Sequence, residues 1–444
     1  MRRGTRTETS VLSGGEAAPE VKTSRRGLLS GTGLAAVGAA IGGTMPFSND
    51  LGPLIPAAHA QGAQPAPAPA APAAPKGPTH LKFPGKNEGL VVLGDRPLVA
   101  ETPESLLDDE TTPTEKFYIR NNGQIPEEAK DADAWKLVID GSVEHKIEIT
   151  LGELKKKYKA VTYRMVLECG GNGRSAFSPP ARGNQWTNGG AGCAEWTGVA
   201  LADVLKDAKP KSSAVYTSHY ASDLHLSGDA GKQPISRGVR LVKAMEEHTL
   251  LVWAMNGQPL PNIHGGPLRL VVPGWPGSAS QKWLTKITLI DKEHDGPGMT
   301  EFSYRVPIKP MIPGDKGDPK NFKILESMPV RSIVTSPANG SKIAAGTKEL
   351  ALRGAAWAGD LTVKQVDVST DFGASWQKVT LGSPKNKYDW QRWTHTLKLP
   401  SDGYFEIWVR ATDQDGTMQP HQAGLWNPQG YGGNAMHRIA VLVG

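Results

Sequence analysis

The chain has 444 residues, 38% of them hydrophobic, and its 50 basic and 44 acidic residues leave a formal net charge of +6 at pH 7. This length favours two folded domains, because a single hydrophobic core seldom serves more than about 250–300 residues. The charges are well mixed, and the densest basic run, at residues 155–159, has the pattern of a solvated helix face, which excludes nucleic acid as a partner. Two cysteines are too few for a zinc site of their own or for a disulfide scaffold.

The N-terminus has the pattern of an export signal. Arg25-Arg26 is a twin-arginine pair, and residues 58–60 (Ala-His-Ala) offer a small-residue cleavage site. We therefore expect residues 1–60 to be a twin-arginine signal peptide and the mature protein to be periplasmic. The apolar run inside this segment is short and rich in glycine, so no membrane span is predicted in the mature chain. Residues 61–80, where Ala and Pro alternate, are predicted to be an extended linker.

Residues 81–326 mix strand and helix patterns, which predicts an α+β domain. Thr150 and Glu153 have the spacing of a capping box, which predicts that a helix begins there. The apolar runs predict strands at 136–140, 147–150, 163–167, 267–272 and 286–290, a helix around 201–205, and a helix end followed by a strand at 244–255.

The pattern changes in the segment at 327–444, where short β-rich runs alternate with turn residues. The predicted strands are 330–334, 350–354, 364–369, 376–380, 393–397, 405–411 and 436–442. Seven strands at near-regular spacing, without a helical stretch, predict an immunoglobulin-like sandwich. The paired cysteines of antibody domains are absent, so we expect this core to close by packing alone.

Cys169 ends a predicted strand and precedes Gly170, Gly171 and Gly173, with Arg174 about one turn beyond. These glycines allow the backbone to approach a bound group closely. A thiol on such a turn beside an arginine is in a setting that favours the thiolate, which is both a nucleophile and a soft metal ligand. From these residues alone, a buried or disulfide-bonded cysteine is an equally good interpretation.

Several motifs in register resemble those of the sulfite oxidase family of molybdenum enzymes. They comprise Cys169 with Gly171, Asn172 and Arg174, then Trp186, Gly190-Ala191 and Trp196 with Gly198, and further on residues 256–260, 264–269, 272–274, 282–284, 426–434 and 437–438. The resemblance covers nearly everything after about Phe117. It implies a sulfite-oxidase-fold domain at 81–326, followed by a dimerisation domain at 327–444, and hence a homodimer within a larger complex.

The resemblance also implies a cofactor and its ligands. One molybdenum would be carried on one molybdopterin, with Cys169 as its protein thiolate ligand. The implied cofactor-binding residues are Arg120, Cys169, Asp223, His264, Arg269 and Lys282. The implied catalytic residues, besides Cys169, are Arg174 and Arg120 as anion-holding groups, Trp186 as a pocket wall and Tyr304 as a group that couples proton and electron steps. For each of these residues the alternative is a structural or surface role.

Two departures from the animal members bear on the substrate. Asn122 stands where they carry histidine, and Gln429 where they carry an arginine that reaches the pocket, which lowers the charge complementarity for free sulfite. Other motif details, at 192–196 and 294–296, are most similar to the sulfane-oxidising members of the family.

That similarity implies oxidation of sulfane sulfur bound to a carrier protein in thiosulfate oxidation, with a c-type cytochrome as electron acceptor. The chain has no Cys-x-x-Cys-His motif, so we expect no haem in it and an external acceptor. One alternative is a sulfite dehydrogenase on the same scaffold, which would pass electrons from sulfite to cytochrome c. The other is a non-enzymatic exported binding protein with a structural thiol.

Overall fold

A computed structural model describes residues 78–444, which all belong to one compact unit, Lys76–Gly444. The predicted signal peptide and residues 61–77 of the predicted linker lie outside the described residues. Among the helices of the described residues, none is long and apolar enough to cross a bilayer.

The N-terminal part of the described chain, residues 78–326, is mostly β with a few short helices. Its strands are β1 (Val91–Asp95), β2 (Leu98–Glu101), β3 (Ile119–Arg120), β4 (Lys136–Gly141), β5 (Ile147–Thr150), β6 (Val161–Glu168), β7 (Ala191–Ala200), β8 (Tyr216–Ala221), β9 (Leu250–Met255), β10 (Gln258–Pro259), β11 (Arg269–Val271), β12 (Leu284–Ile290), β13 (Arg305–Pro307) and β14 (Phe322–Ile324). Its helices are α1 (Leu151–Lys157), α2 (Leu201–Ala208) and α3 (Leu241–Ala244), with short 3-10 helices at Glu104–Leu106, Thr114–Lys116, Arg174–Ala176, Asn262–His264, Gly277–Ala279 and Pro319–Asn321. This composition is consistent with the predicted α+β class.

Two sheets frame the N-terminal part. One has the order β10-β9-β7-β6, with β11 also paired to β9, and the other has the order β5-β4-β12-β8, in which β12 and β4 run parallel. Ile139 of β4, Val204 of α2 and Leu251 of β9 belong to one buried apolar cluster, so the helices and both sheets share a core. Smaller sheets are formed by β1-β2-β3 and by β13-β14.

Helix α1 begins at the predicted capping box. The Thr150 hydroxyl accepts a hydrogen bond from the Glu153 N–H at 3.2 Å, and the Glu153 carboxylate accepts one from the Thr150 N–H at 2.8 Å. Both bonds satisfy N–H groups that the first helical turn leaves unpaired. The basic side chains at 155–157 are exposed in the last turn, as expected of a solvated helix face.

The C-terminal part, residues 327–444, is built from two facing sheets. Its strands are β15 (Arg331–Ser336), β16 (Ser341–Ile343), β17 (Glu349–Trp357), β18 (Val363–Ser369), β19 (Gln377–Lys378), β20 (Thr380–Leu381), β21 (Gln391–Lys398), β22 (Gly403–Asp413) and β23 (His437–Val443). The sheet orders are β15-β17-β21-β20 and β16-β23-β22-β18-β19. Leu352 and Trp393 of the first sheet share a buried cluster with Val366, Ile407 and Ile439 of the second.

The strand predicted at 376–380 is divided in the structure. β19 pairs with β18 in one sheet, whereas β20 pairs with β21 in the other, so the chain changes sheets between them. Each piece is only two residues long, because one extended run cannot follow both partners. The short parallel strand β16 was not predicted.

Candidate active site

Cys169 lies directly after β6, at the end of a buried strand. Its N–H donates to the Gly190 carbonyl at 2.7 Å, and its own carbonyl accepts from the Asn172 N–H at 2.9 Å. Gly173 then adopts a φ of +78°, which turns the chain into the 3-10 helix at Arg174–Ala176. The loop is therefore fixed by local hydrogen bonds.

The thiol of Cys169 is free and only 7% exposed, so the alternative of a disulfide is wrong. Burial raises its pKa above the ordinary value, although Arg120 and Arg174 act in the opposite direction. The expectation that a turn beside an arginine favours the thiolate is therefore not met by these residues alone, because burial outweighs both arginines. A bound metal ion would supply the missing stabilisation, because metal binding to a thiol releases its proton.

Cys193, the second cysteine, has a different environment. Its Sγ lies 3.3 Å from Oδ1 of Asp389 and donates to it, and Asp389 in turn accepts two hydrogen bonds from Arg164 at 2.8 and 2.7 Å. Burial, followed by the Asp389 charge, raises the pKa of the Cys193 thiol well above its ordinary value. The residue is thus held as a neutral thiol in a buried contact between the two parts of the chain.

Cys169 lines a cleft with about 610 Å³ of space free of protein atoms, part of it open to solvent. The structure brings most of the predicted site residues to this cleft. They are Arg120, Cys169, Asp223, His264, Arg269, Lys282 and Tyr304. Lining residues that the sequence did not single out include Tyr118, Asn121, Ser278 and Gln281.

Basic side chains from separate elements converge on the cleft. Arg269 begins β11, and its Nη1 donates to the His264 carbonyl at 2.8 Å. Lys282 precedes β12, and its Nζ donates to Asn121 Oδ1 and to the Ile263 carbonyl, both at 2.7 Å. The hydrogen bonds of both cations thus go to neutral acceptors, and neither cation forms a direct ion pair within the described residues.

A further lysine, Lys86, stands behind His264 and was missed by the sequence reasoning. Its Nζ lies 3.0 Å from His264 Nε2 and donates to the carbonyls of Thr114 at 2.5 Å and Phe117 at 2.6 Å. Lys86 belongs to none of the motifs recognised in the sequence, so no local signal marks it. Only the fold brings it to this cluster.

The positive charges of the cluster repel one another. Burial lowers the pKa of Lys86 to about 7 and that of Arg269 to about 10. Burial, with the Arg269 charge next in importance, holds the pKa of Lys282 well below its ordinary value, and burial with Lys86 does the same for His264. Asp223 is the carboxylate that lines the cleft, and burial raises its pKa to about 6. An anion in the cleft would relieve this repulsion.

Buried polar atoms at the cleft also lack partners. Asp223 Oδ1, Ser278 Oγ and Gln281 Oε1 make no hydrogen bond to any of the described residues. Buried polar groups in native proteins are almost always paired, so unpaired atoms beside a cleft indicate a polar ligand. A thiol for a soft metal, cations for a phosphate and unpaired groups for a polar ring edge together fit a molybdopterin.

Tyr304 is part of a stack of two rings between two cations. Its ring lies 4.6 Å from that of Tyr431 at an interplanar angle of 23°. The Arg237 guanidinium lies 4.7 Å from the Tyr304 ring, and the Arg174 guanidinium lies 5.2 Å from the Tyr431 ring. Tyr431 and Arg237 come from segments far from Tyr304 in sequence, and sequence reasoning assigned neither of them to the site.

Arg174 and Trp186 are not among the residues that line the cleft. Arg174 is buried, and its Nε and Nη1 donate to the carbonyls of Gln429 and Asn184, each at 2.8 Å. Trp186 is fully buried with its ring 5.9 Å from that of Tyr118, which itself lines the cleft. Trp186 packs in the same buried cluster as Cys169 and Tyr118, and the expectation that it walls the pocket stays a prediction.

Gln429 does not face the cleft at Cys169. Its N–H donates to Asn427 Oδ1 at 3.1 Å and its carbonyl accepts from Arg174, so the backbone of this turn faces Arg174. The residue instead lines a second cleft together with Pro179, Arg182, Trp426 and other residues. Gln429 is therefore not part of the cleft lined by Cys169, and the lower charge expected from this position does not act there.

Comparisons with known proteins identify two domains and their relatives. Residues 122–298 match the oxidoreductase molybdopterin binding domain, and residues 322–444 match the Mo-co oxidoreductase dimerisation domain. Sulfite oxidase of Gallus gallus is 31% identical over 366 residues, which span 80% of this chain and 78% of that protein. Mitochondrial sulfite oxidase of Drosophila melanogaster is 31% identical over 368 residues, which span 78% of this chain and 62% of that protein.

A solved structure is similar over most of the described chain. It is the crystal structure of the sulfane dehydrogenase SoxCD from Paracoccus pantotrophus, with a TM-score of 0.64 and 25% sequence identity. The similarity covers 77% of this chain and 83% of the matched chain.

Proposed function

Because the chain belongs to the sulfite oxidase family of molybdopterin oxidoreductases, we propose that it is a periplasmic enzyme that oxidises sulfane sulfur bound to a carrier protein. In this proposal it acts in thiosulfate oxidation and passes electrons to a c-type cytochrome. Export by the twin-arginine route would deliver the folded, cofactor-loaded protein.

The residues at the cleft divide into those that hold the cofactor and those that act on the substrate. Cys169 would bind molybdenum through its thiolate, Arg269 and Lys282 would hold the anionic part of molybdopterin, and Gln281 would pair with its polar edge. When bound, the molybdenum centre supplies oxygen-atom transfer to sulfur and accepts two electrons. The positive charge of the cleft binds the anionic group, and the group in turn allows these cations to stay charged.

Arg120 and Tyr304 are the lining residues that we assign to the substrate. The planar guanidinium of Arg120 can hold an oxidised sulfur group through two parallel hydrogen bonds. The Tyr304 hydroxyl can donate or accept a proton at the wall of the cleft. Tyr431 covers the far face of the Tyr304 ring and excludes water from that side.

The observation that carries the sulfane assignment is the fold similarity to a sulfane dehydrogenase across 77% of this chain. A sulfite dehydrogenase is the second candidate. The 31% identity to sulfite oxidase favours it, as does the guanidinium of Arg120 at the cleft.

A comparison of kcat/KM for two substrates tests the assignment. The purified, molybdenum-loaded chain would be assayed with a c-type cytochrome as acceptor, using free sulfite or a carrier protein whose cysteine bears a sulfane sulfur. We expect kcat/KM to favour the carrier by at least about tenfold, equivalent to ~1.4 kcal/mol of transition-state stabilisation. A preference for sulfite would establish the second candidate. A chain without molybdenum and without either activity would leave the non-enzymatic binding protein.

We further propose that the chain is a homodimer within a larger complex that includes the cytochrome subunit. The match of residues 322–444 to a dimerisation domain supports this proposal. Sedimentation velocity of the full chain, alone and with the cytochrome, tests it. A monomer at micromolar concentration that does not bind the cytochrome would contradict it.

A further inference from the structure

The residue immediately before Cys169 is a buried carboxylate with three side-chain donors. Glu168 is 3% exposed. Its Oε1 accepts from Asn172 Nδ2 at 2.9 Å and from Arg331 Nε at 2.8 Å, and its Oε2 accepts from Trp357 Nε1 at 2.7 Å. Arg331 and Trp357 belong to the C-terminal part, so that part of the chain contacts the Cys169 loop directly.

Arg331 is equally buried, with 1% of its surface exposed, and its nitrogens are all engaged. Besides Glu168, it donates from Nη1 to Asn188 Oδ1 at 3.0 Å and from Nη2 to the carbonyls of Asn172, at 3.1 Å, and Gly433. The guanidinium therefore joins the loop after Cys169 to the segment that leads into β7. This arrangement holds the two sides of the Cys169 loop together.

Hydrogen bonds close a ring around Cys169. Asn172, held by Glu168, accepts from the Gly190 N–H at 3.0 Å through its Oδ1, and the Gly190 carbonyl accepts from the Cys169 N–H at 2.7 Å. On the other side, the Gly432 N–H donates to the Gly170 carbonyl at 3.0 Å. The backbone on both sides of the Cys169 side chain is thus tied to residues that Glu168 and the C-terminal part control.

Other contacts already join the two parts of the chain. Asp108 pairs with Arg353 and Arg392, and Lys243 pairs with Asp360 at 2.7 Å. A buried ion pair is a poor source of stability, because desolvation offsets most of its attraction. A further buried pair at the base of the cysteine loop is better explained by what it positions.

We propose that Glu168, Arg331 and Trp357 are positioning residues for the Cys169 thiolate, so that the C-terminal part sets the geometry of the metal ligand. This inference rests on the proposed binding of molybdenum by Cys169. It gives the C-terminal part a role at the site that is separate from any subunit contact.

Two matched tryptophan variants test the proposal. Trp357→Phe removes the donor to Glu168 and keeps a ring, whereas Trp393→Phe makes the same change at a buried tryptophan whose Nε1 has no partner among the described residues. Each molybdenum-loaded variant would be compared with the wild type in molybdenum content, in the thiolate-to-molybdenum absorption band, in thermal midpoint, and in kcat and KM.

We expect Trp357→Phe to shift the absorption band and to lower either molybdenum content or kcat by about tenfold, the effect typical of partners that orient a metal ligand. We expect Trp393→Phe to leave the band, the molybdenum content and kcat as in the wild type. Equal behaviour of the two variants at full molybdenum content would overturn this inference alone. A wild-type chain without molybdenum would overturn the proposed function as well.

A second pair of variants covers the case in which Trp357→Phe does not fold. Arg331→Lys keeps the charge but loses the planar donor set, and Arg353→Lys makes the same change at the partly exposed pair with Asp108. The same shift of the band, confined to Arg331→Lys, would support the proposal. An unshifted band in folded Arg331→Lys would contradict it.

Discussion

The buried cation Arg237 provides a test of how charge is distributed around Tyr304. The residue is fully buried, and its Nη1 donates to the Gly298 carbonyl. Its Nε and Nη2 make no hydrogen bond to any described residue. Its guanidinium lies 4.7 Å from the Tyr304 ring, which supplies a cation–π contact but no hydrogen-bond acceptor for these nitrogens.

The magnitude follows from these contacts. Taking a guanidinium out of water costs several kcal/mol even after relaxation. One hydrogen bond to a charged group returns about 1.5–3 kcal/mol, and a desolvated cation–π contact returns about 2 kcal/mol. Replacing buried charged groups by apolar side chains of similar volume stabilises proteins by about 1–4 kcal/mol, and methionine adapts well to irregular space. Arg237→Met should therefore raise the free energy of unfolding by about 1–4 kcal/mol. With about 2.1 cal/mol/K of unfolding entropy per residue, the midpoint should rise by roughly 1–5 °C for the described part of the chain.

Arg331→Met is the matched control, because it makes the same substitution at an equally buried arginine whose partners are complete. It leaves the Glu168 carboxylate buried without its cation, which should lower the free energy of unfolding by about 3–5 kcal/mol. The thermal midpoint should then fall by roughly 4–7 °C. The two variants are thus expected to change stability in opposite directions.

Differential scanning calorimetry of the molybdenum-loaded proteins at pH 7 measures both midpoints. A loss of stability in Arg237→Met comparable to that in Arg331→Met would refute the reasoning, since the Arg237 nitrogens would then have a strong anionic partner. Steady-state kinetics on the same samples adds a second readout. Loss of the cation that covers Tyr304 should lower kcat more than it changes KM, and an unchanged kcat would show that Tyr304 does not depend on Arg237.

Three further predictions concern the metal ligand, pH and export. Cys169→Ser should abolish molybdenum binding and activity, whereas Cys193→Ser should keep molybdenum; equal loss in both variants would contradict the assignment of Cys169. Burial raises the pKa of Glu101 to about 7. Between about pH 4.5 and 7, Glu101 is therefore protonated in the folded state and ionised in the unfolded state. Relative to Glu101→Gln, the wild type should therefore lose stability as pH rises through that range and stay level above it, and parallel pH curves would refute this shift. Replacing Arg25 and Arg26 with Lys should leave active enzyme in the cytoplasm, as measured by cell fractionation, and undiminished periplasmic activity would argue against the twin-arginine route.

Much of the local structure is readable from the sequence because its causes are local. The capping box of α1 joins residues three apart, so Thr150 and Glu153 alone predict where the helix begins. The strands of the C-terminal part follow from alternating apolar residues between turns, and the structure places strands at nearly all the predicted runs. The candidate cofactor residues belong to motifs whose order along the chain is enough to group Cys169 with His264, Arg269 and Lys282.

The tertiary structure decided the contacts that join distant segments. Glu168 and Arg331 are 163 positions apart, and no local pattern predicts that they form a buried ion pair. The orientation of Gln429 depends on backbone hydrogen bonds to Asn427 and Arg174. With these bonds in place, the residue lines a second cleft. Lys86 lies outside every motif recognised in the sequence, and Tyr431 lies within the 426–434 motif, which does not mark it as a site residue. They join the site because burial in a shared core brings their segments together, and the charge and packing of each then depend on neighbours that only the fold supplies.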